Sequence, residues 1–149
     1  MLSPVSEKRL LTVHDSLAQL VRFAATHTRL QVITGYRDQA EQEQAYTDGK
    51  SKAHWLQSPH NYLLSFAVDI APLSVDRNGK DFIDWGNAEA FETLAQMIVA
   101  KGKAAGVDVL WGGDWNRNGV SRAHGDKGEH LVDLPHLELA HWRETARTA

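Results

Sequence analysis

The chain has no cysteine in 149 residues, and that absence removes disulfide frameworks, thiolate zinc fingers, iron–sulfur clusters and cysteine nucleophiles from consideration. Any metal must be held by histidine and carboxylate. Nowhere do about 18 apolar residues run together, so no segment is built to insert into a bilayer. The opening Met1-Leu2-Ser3-Pro4 lacks the charged lead and apolar run of a secretory leader, and we expect synthesis in the cytoplasm. Positive charge is not in excess either: 16 Lys and Arg face 19 Asp and Glu, a formal net charge of -3, with the basic residues scattered. Nucleic acid, which demands a concentrated positive face, is not an expected partner.

What remains is a globular mixture, 42% hydrophobic and 23% charged, with eight histidines and five tryptophans. It fits one domain over residues 1–149, without linker, repeat or low-complexity tract. Leu10, Val13, Leu17, Leu20, Val21 and Ala24 recur at helical spacing and predict a helix from Ser6 to about His27. Leu30 to Thr34 reads as a strand closed by Gly35. Asp38 and Glu41 form a capping-box pair for a helix from Gln39 to about Asp48. Residues 50–65 show no periodicity. Phe66 to Ala71 is a strand ended by Pro72, Asp76 to Gly79 a turn, and Asn87 the cap of a helix that Gly102 or Gly106 ends. Strands follow at Val107 to Trp111 and at Leu131 to Leu139, the latter interrupted by Pro135. Between them lies a long irregular loop over residues 112–130, and a short polar tail closes the chain. This order predicts an α+β fold, a small and largely antiparallel sheet packed with helices.

Several residues are too costly for scaffold. Asp69 sits in a strand whose neighbours are apolar on both sides, where a carboxylate without water needs a cation. The polar segment Ser58-Pro59-His60-Asn61 can fold back to bring an imidazole to it, and His136 lies in another apolar strand context. Two nitrogens and one oxygen make a zinc set with a fourth position open. Among the other histidines, His14, His27 and His141 read as surface residues, whereas His54, His124 and His130 fall in irregular segments where sites are made. Asp133, three residues before His136, is a candidate general base or a solvated loop acid. Arg37, at a strand end, is an oxyanion or carboxylate clamp or an exposed cation. Trp111, Asp114 and Trp115 in Trp111-Gly112-Gly113-Asp114-Trp115 form a cleft wall or anchor a loop in the core. Asp114, Asn116 and Asn118 match the opening of a calcium loop and suggest a weak calcium site, although the twelfth position is Gly125 and not glutamate; a plain turn is the other reading.

Four blocks in order carry a resemblance: Ile33-Thr34-Gly35-Tyr36-Arg37, Ser58-Pro59-His60-Asn61 leading to Ala67-Val68-Asp69-Ile70-Ala71-Pro72, the Trp111 to Trp115 block, and Asp133-Leu134-Pro135-His136-Leu137-Glu138-Leu139. The chain resembles the zinc peptidases of bacterial cell walls, which include D-alanyl-D-alanine carboxypeptidases and phage endolysins cutting the L-alanyl-D-glutamate bond. The resemblance implies a Hedgehog/DD-peptidase-like fold with one zinc per chain on His60, Asp69 and His136. It makes Asp133 the general base and Arg37 the oxyanion or substrate clamp, with Ser58 behind the metal ligands. In many members the histidine and aspartate of the first motif lie closer together, whereas here His60 and Asp69 stand nine positions apart.

The implied activity is hydrolysis of peptidoglycan stem-peptide amides, most simply the L-alanyl-D-glutamate bond, by a monomeric phage endolysin without a separate wall-binding domain. It would be made in the host cytoplasm and act on the wall from the periplasm. A D,D-carboxypeptidase of the same family, and a non-catalytic zinc module binding wall or protein, are the alternatives.

Overall fold

The structure, a computed structural model, describes residues 1–118 and 132–148. Its centre is a four-stranded, wholly antiparallel sheet formed by β1 (Leu30–Thr34), β2 (Ala67–Pro72), β6 (His136–Leu139) and β5 (Val109–Trp111), in that spatial order. A separate hairpin of β3 (Ser74–Val75) and β4 (Asp81–Phe82) closes on the expected turn, where the Asp76 carboxylate accepts from the backbone N–H of Asn78 and Lys80 and Gly79 takes a left-handed φ of 79°. The expected α+β architecture is present. Among the described residues no helix is long and apolar enough to cross a membrane.

The period-2 alternation of the strands separates two jobs. Leu30, Val32, Val68, Ile70, Val109 and Leu137 join one hydrophobic core, against which α2 (Asp15–Ala25) places Leu17, Leu20 and Val21 and α4 (Ala88–Ala104) places Leu94, Ala95 and Ile98. The alternate residues Asp69, His136 and Glu138 take the other parity, and Asp69 and His136 stand directly opposite each other in the β2–β6 register.

The single helix expected over residues 6–27 is two. α1 (Pro4–Leu10) ends before Thr12, whose hydroxyl donates to the Arg9 carbonyl (2.6 Å) and accepts from Tyr36 N–H (2.9 Å). The Thr12 carbonyl accepts from Ser65 N–H and the Ser65 carbonyl from His14 N–H, so a segment fifty residues away supplies the bonds that a continuous helix would have made internally. α1 is pinned to β1 by buried Ser6, whose hydroxyl accepts from Val32 N–H at 2.9 Å.

Gly106, at φ 76°, ends α4, and Val107 still bonds back to the Gly102 carbonyl, which is why β5 starts two residues later than expected. The predicted strand from Leu131 begins only at His136, after Pro135; Leu131 itself is outside the described residues. The tail that reads as polar is a helix, α5 (Trp142–Thr148), held by buried Trp142 against Phe66 and Tyr62.

Candidate active site

Each candidate ligand is presented by a different local device. His60 rides on a single 3-10 turn, Pro59–Asn61, capped by the buried Ser58: its hydroxyl accepts from His60 N–H, and the Asn61 side chain returns a bond to Ser58 N–H. Asp69 and His136 come from paired strands. The result is three ligand atoms facing one point: His60 Nε2 lies 3.2 Å from Asp69 Oδ1, His136 Nδ1 lies 3.1 Å from the same oxygen, and the two nitrogens are 3.3 Å apart. Ligands about 2.0–2.1 Å from a tetrahedral ion stand about 3.3 Å from one another. Among the described residues this is the one cluster of three or more histidine and acid side chains able to hold a metal.

The remaining ring nitrogens fix which atoms are free to coordinate. His60 Nδ1 faces the Gly35 carbonyl at 2.7 Å and must carry its proton there, leaving Nε2 with its lone pair. His136 Nε2 faces the Glu138 carboxylate at 2.9 Å, which leaves Nδ1 as ligand. Two lone pairs and a carboxylate oxygen aimed at one another need a cation between them, so the donor set fits a divalent metal. With none, a proton substitutes: burial lowers the His136 pKa, but the bonds to Asp69 and Glu138 outweigh it and raise it to about 10. Asp69, although burial opposes its charge, is held far below the usual carboxylate range by His60 and His136.

A groove of about 520 Å³ opens over this cluster, lined also by Arg37, Asp133, Trp115, Lys50 and Lys52. Arg37 Nη2 stands 3.9 Å from Asp69 Oδ2 and its Nη1 donates to Gln42 at 3.1 Å. The Asp133 pKa is raised, first by loss of water and then by repulsion from Asp69, against the pull of His136, His60 and Arg37. Its backbone is strapped to the Gly112 carbonyl, and its own carbonyl accepts from His136 N–H. Trp115 lies 5.5 Å, ring to ring, from His136.

A model of the phage L-alanyl-D-glutamate peptidase family matches residues 1–140. The chain belongs to that family. An L-alanyl-D-glutamate peptidase of Escherichia phage T5 is 31% identical over 138 residues, covering 90% of this chain and 93% of that protein. The crystal structure of the Serratia marcescens L-Ala D-Glu endopeptidase ChiX is similar at a TM-score of 0.70 and 25% identity, covering 97% of this chain and 93% of that one.

Within this phage-peptidase chain, not every residue singled out in the sequence reaches the groove. Trp111 is a core residue: its indole N–H donates to the Leu134 carbonyl at 2.7 Å and its ring fills the space where Gly113 has no side chain. The cleft-wall reading thus gives way to the core-anchor reading for Trp111. Asp114 faces a different cavity, of about 530 Å³, together with Val107 and Trp111. In the stretch read as a calcium loop, Asn116 accepts from Asn118 N–H and Asp114 C=O from Arg117 N–H, as in ordinary turns, and nothing supports calcium there. Gly125, His124 and His130 lie outside the described residues. His54 is exposed and bonded to Glu43; His27 and His141 are exposed, while His14 is half-buried and stacked on Phe66.

Two residues escaped the sequence analysis. Glu138 had a signal, since it shares strand parity with His136 and is a buried acid between two leucines. Gln42, fully buried, accepts from Arg37 and from Asn61 Nδ2 and donates to Ser51 Oγ and the Ala53 carbonyl; a glutamine in a polar helix gives no warning of this.

Proposed function

We propose that this chain is a zinc endopeptidase hydrolysing the L-alanyl-D-glutamate bond of peptidoglycan stem peptides, working as a monomer on the cell wall from the periplasm. The observation that carries the reading is the convergence of His60 Nε2, Asp69 Oδ1 and His136 Nδ1 at 3.1–3.3 Å beneath a groove that also holds an acid and a guanidinium. Two imidazoles and one carboxylate suit zinc, with a coordination position left for chemistry. When bound, zinc supplies Lewis-acid polarisation of a carbonyl and a water reactive at neutral pH.

The chain's own residues do the rest. Asp133, on the groove beside the cluster, accepts a proton from the attacking water and returns it to the departing amine nitrogen. Arg37, held by Gln42 and by the backbone bond from its N–H to the His60 carbonyl, turns its guanidinium to the negative charge growing on the scissile oxygen. Trp115 offers a flat apolar wall beside His136. Ser58 acts through His60, by capping the turn that carries it.

The test is digestion of purified Gram-negative peptidoglycan with zinc-loaded protein and a chelated control, with new amino termini labelled and read by mass spectrometry. A zinc-dependent D-glutamate terminus is expected. Free D-alanine would reassign the activity to a D,D-carboxypeptidase, and stoichiometric zinc without any product would replace the enzyme by a binding module.

A further inference from the structure

Among the described residues, the lining of the groove is positive on a protein of net negative charge. Its lining carries Arg37, Lys50 and Lys52 against Asp69 and Asp133, while the whole chain has a formal charge of -3. Arg37 already faces Asp69 and bonds Gln42, whereas neither lysine has an ion-pair partner among the described residues. The segment that carries them is nonetheless built. Lys50 and Ser51 N–H both bond to the Ala45 carbonyl, and buried Gln42 grips the same stretch through Ser51 Oγ and the Ala53 carbonyl. The two ammonium groups thus hang from a backbone tied to the amide that also holds Arg37, and they border the groove of the metal cluster.

We propose that Lys50 and Lys52 are specificity-determining residues that read a carboxylate on the leaving side of the scissile bond. The inference rests on the peptidase reading above. In an L-alanyl-D-glutamate bond of a stem peptide, the glutamate continues the chain through its side-chain carboxyl. Its α-carboxylate is therefore free, on the carbon next to the departing nitrogen. An anion delivered there lies beside Asp133, which repels it, while Arg37 faces Asp69 and a bound zinc would be engaged by its ligands and the scissile carbonyl. Two unpaired ammonium groups offset that repulsion and favour the anion over a neutral group of the same shape. The natural neutral counterpart is the α-carboxamide, D-isoglutamine, and the enzyme discriminates between the two forms.

The experiment compares two synthetic stem peptides, identical except for D-glutamate or D-isoglutamine after L-alanine, with the zinc-loaded full chain and with the double variant K50M/K52M. Both lysines are exposed, so the variant folds. Wild type is expected to show kcat/KM about tenfold higher for the carboxylate peptide, the size of two solvent-edged ion pairs. In K50M/K52M that ratio falls toward one, mainly through a higher KM for the carboxylate peptide. Equal cleavage of both peptides by wild type, or a ratio unmoved in the double variant, overturns the assignment while leaving the peptidase reading intact. Cleavage of neither peptide by wild type overturns both.

Discussion

Replacing Glu138 by glutamine is expected to weaken zinc binding by about tenfold, and replacing it by alanine by up to about a hundredfold, although Glu138 is not a ligand. The reason lies in the 2.9 Å bond from His136 Nε2 to its carboxylate, made where both side chains are only 8% exposed. That bond fixes the tautomer that leaves Nδ1 free, holds the ring in orientation and makes it a stronger donor. Glutamine keeps an acceptor oxygen but loses the charge, about 1.4 kcal/mol at tenfold. Alanine loses the acceptor as well and frees the ring to turn.

The same bond acts on the metal-free protein with a definite pH dependence. His136, raised to about 10 when folded, contributes stability that is fully present below its ordinary value of about 6.5 and is lost as pH rises through about 10. Removing one of its two carboxylate partners should therefore cost about 2 kcal/mol at pH 6 in chelator, a Tm fall of about 6 °C, and less at pH 9. Zinc competition against a chromophoric chelator and thermal melts in chelator read the two effects, with the exposed Glu89→Gln as control. A Glu138→Gln protein that binds zinc within twofold of wild type and melts unchanged in chelator would refute the coupling.

Asp133→Asn should keep zinc and lose turnover by about a hundredfold or more, whereas His136→Ala should lose the metal itself; metal content and peptide release separate the two. In the metal-free chain burial and Asp69 raise the Asp133 pKa, and a bound cation beside Asp69 would draw it down again, so the acid limb of kcat/KM at saturating zinc should lie below the pH at which Asp133 titrates in chelator. Arg37→Ala should move both titrations higher, since the guanidinium pulls the pKa down, and an acid limb unmoved by Arg37→Ala would remove Asp133 as its source. Gln42→Ala strands Arg37, Asn61, Ser51 and the Ala53 carbonyl at once, so a loss of about 3 kcal/mol with lower kcat is expected in denaturant titration and kinetics, and an unaltered kcat would show that Arg37 needs no tether. At Gly112 an added Cβ would lie 2.2 Å from the Asp133 carbonyl oxygen, so Gly112→Ala should cost about 1–3 kcal/mol and depress kcat while zinc stays bound.

Local signals carried much of this molecule into its sequence. The Asp38–Glu41 capping box forms with both of its bonds, β1 spans Leu30–Thr34 as its branched residues require, and the cost of a carboxylate in the β2 strand pointed to Asp69 needing a cation. What stayed hidden depends on distant partners. Nothing near Thr12 announces that Ser65 will supply the backbone bonds that split the first helix. A tail of charged and small residues conceals one anchoring indole at Trp142. Trp111, next to two glycines, looks equally suited to a cleft and to a core, and only the space left by Gly113 decides.

The site and the core are two faces of one pattern. On β6, Leu137 enters the core while His136 and Glu138 face the metal cluster; on β2, Val68 and Ile70 enter the core while Asp69 faces His136 across the register. A slip of β6 by one residue against β2 would turn His136 and Glu138 into the apolar layer and bring Leu137 out of it, away from Asp69. The hydrophobic term that fixes the register therefore also fixes the 3.1 Å approach of Nδ1 to Oδ1. Register brings Asp69 and His136 together, the Glu138 bond then sets the His136 ring, and His60 is positioned independently by its capped turn and its bond to Gly35.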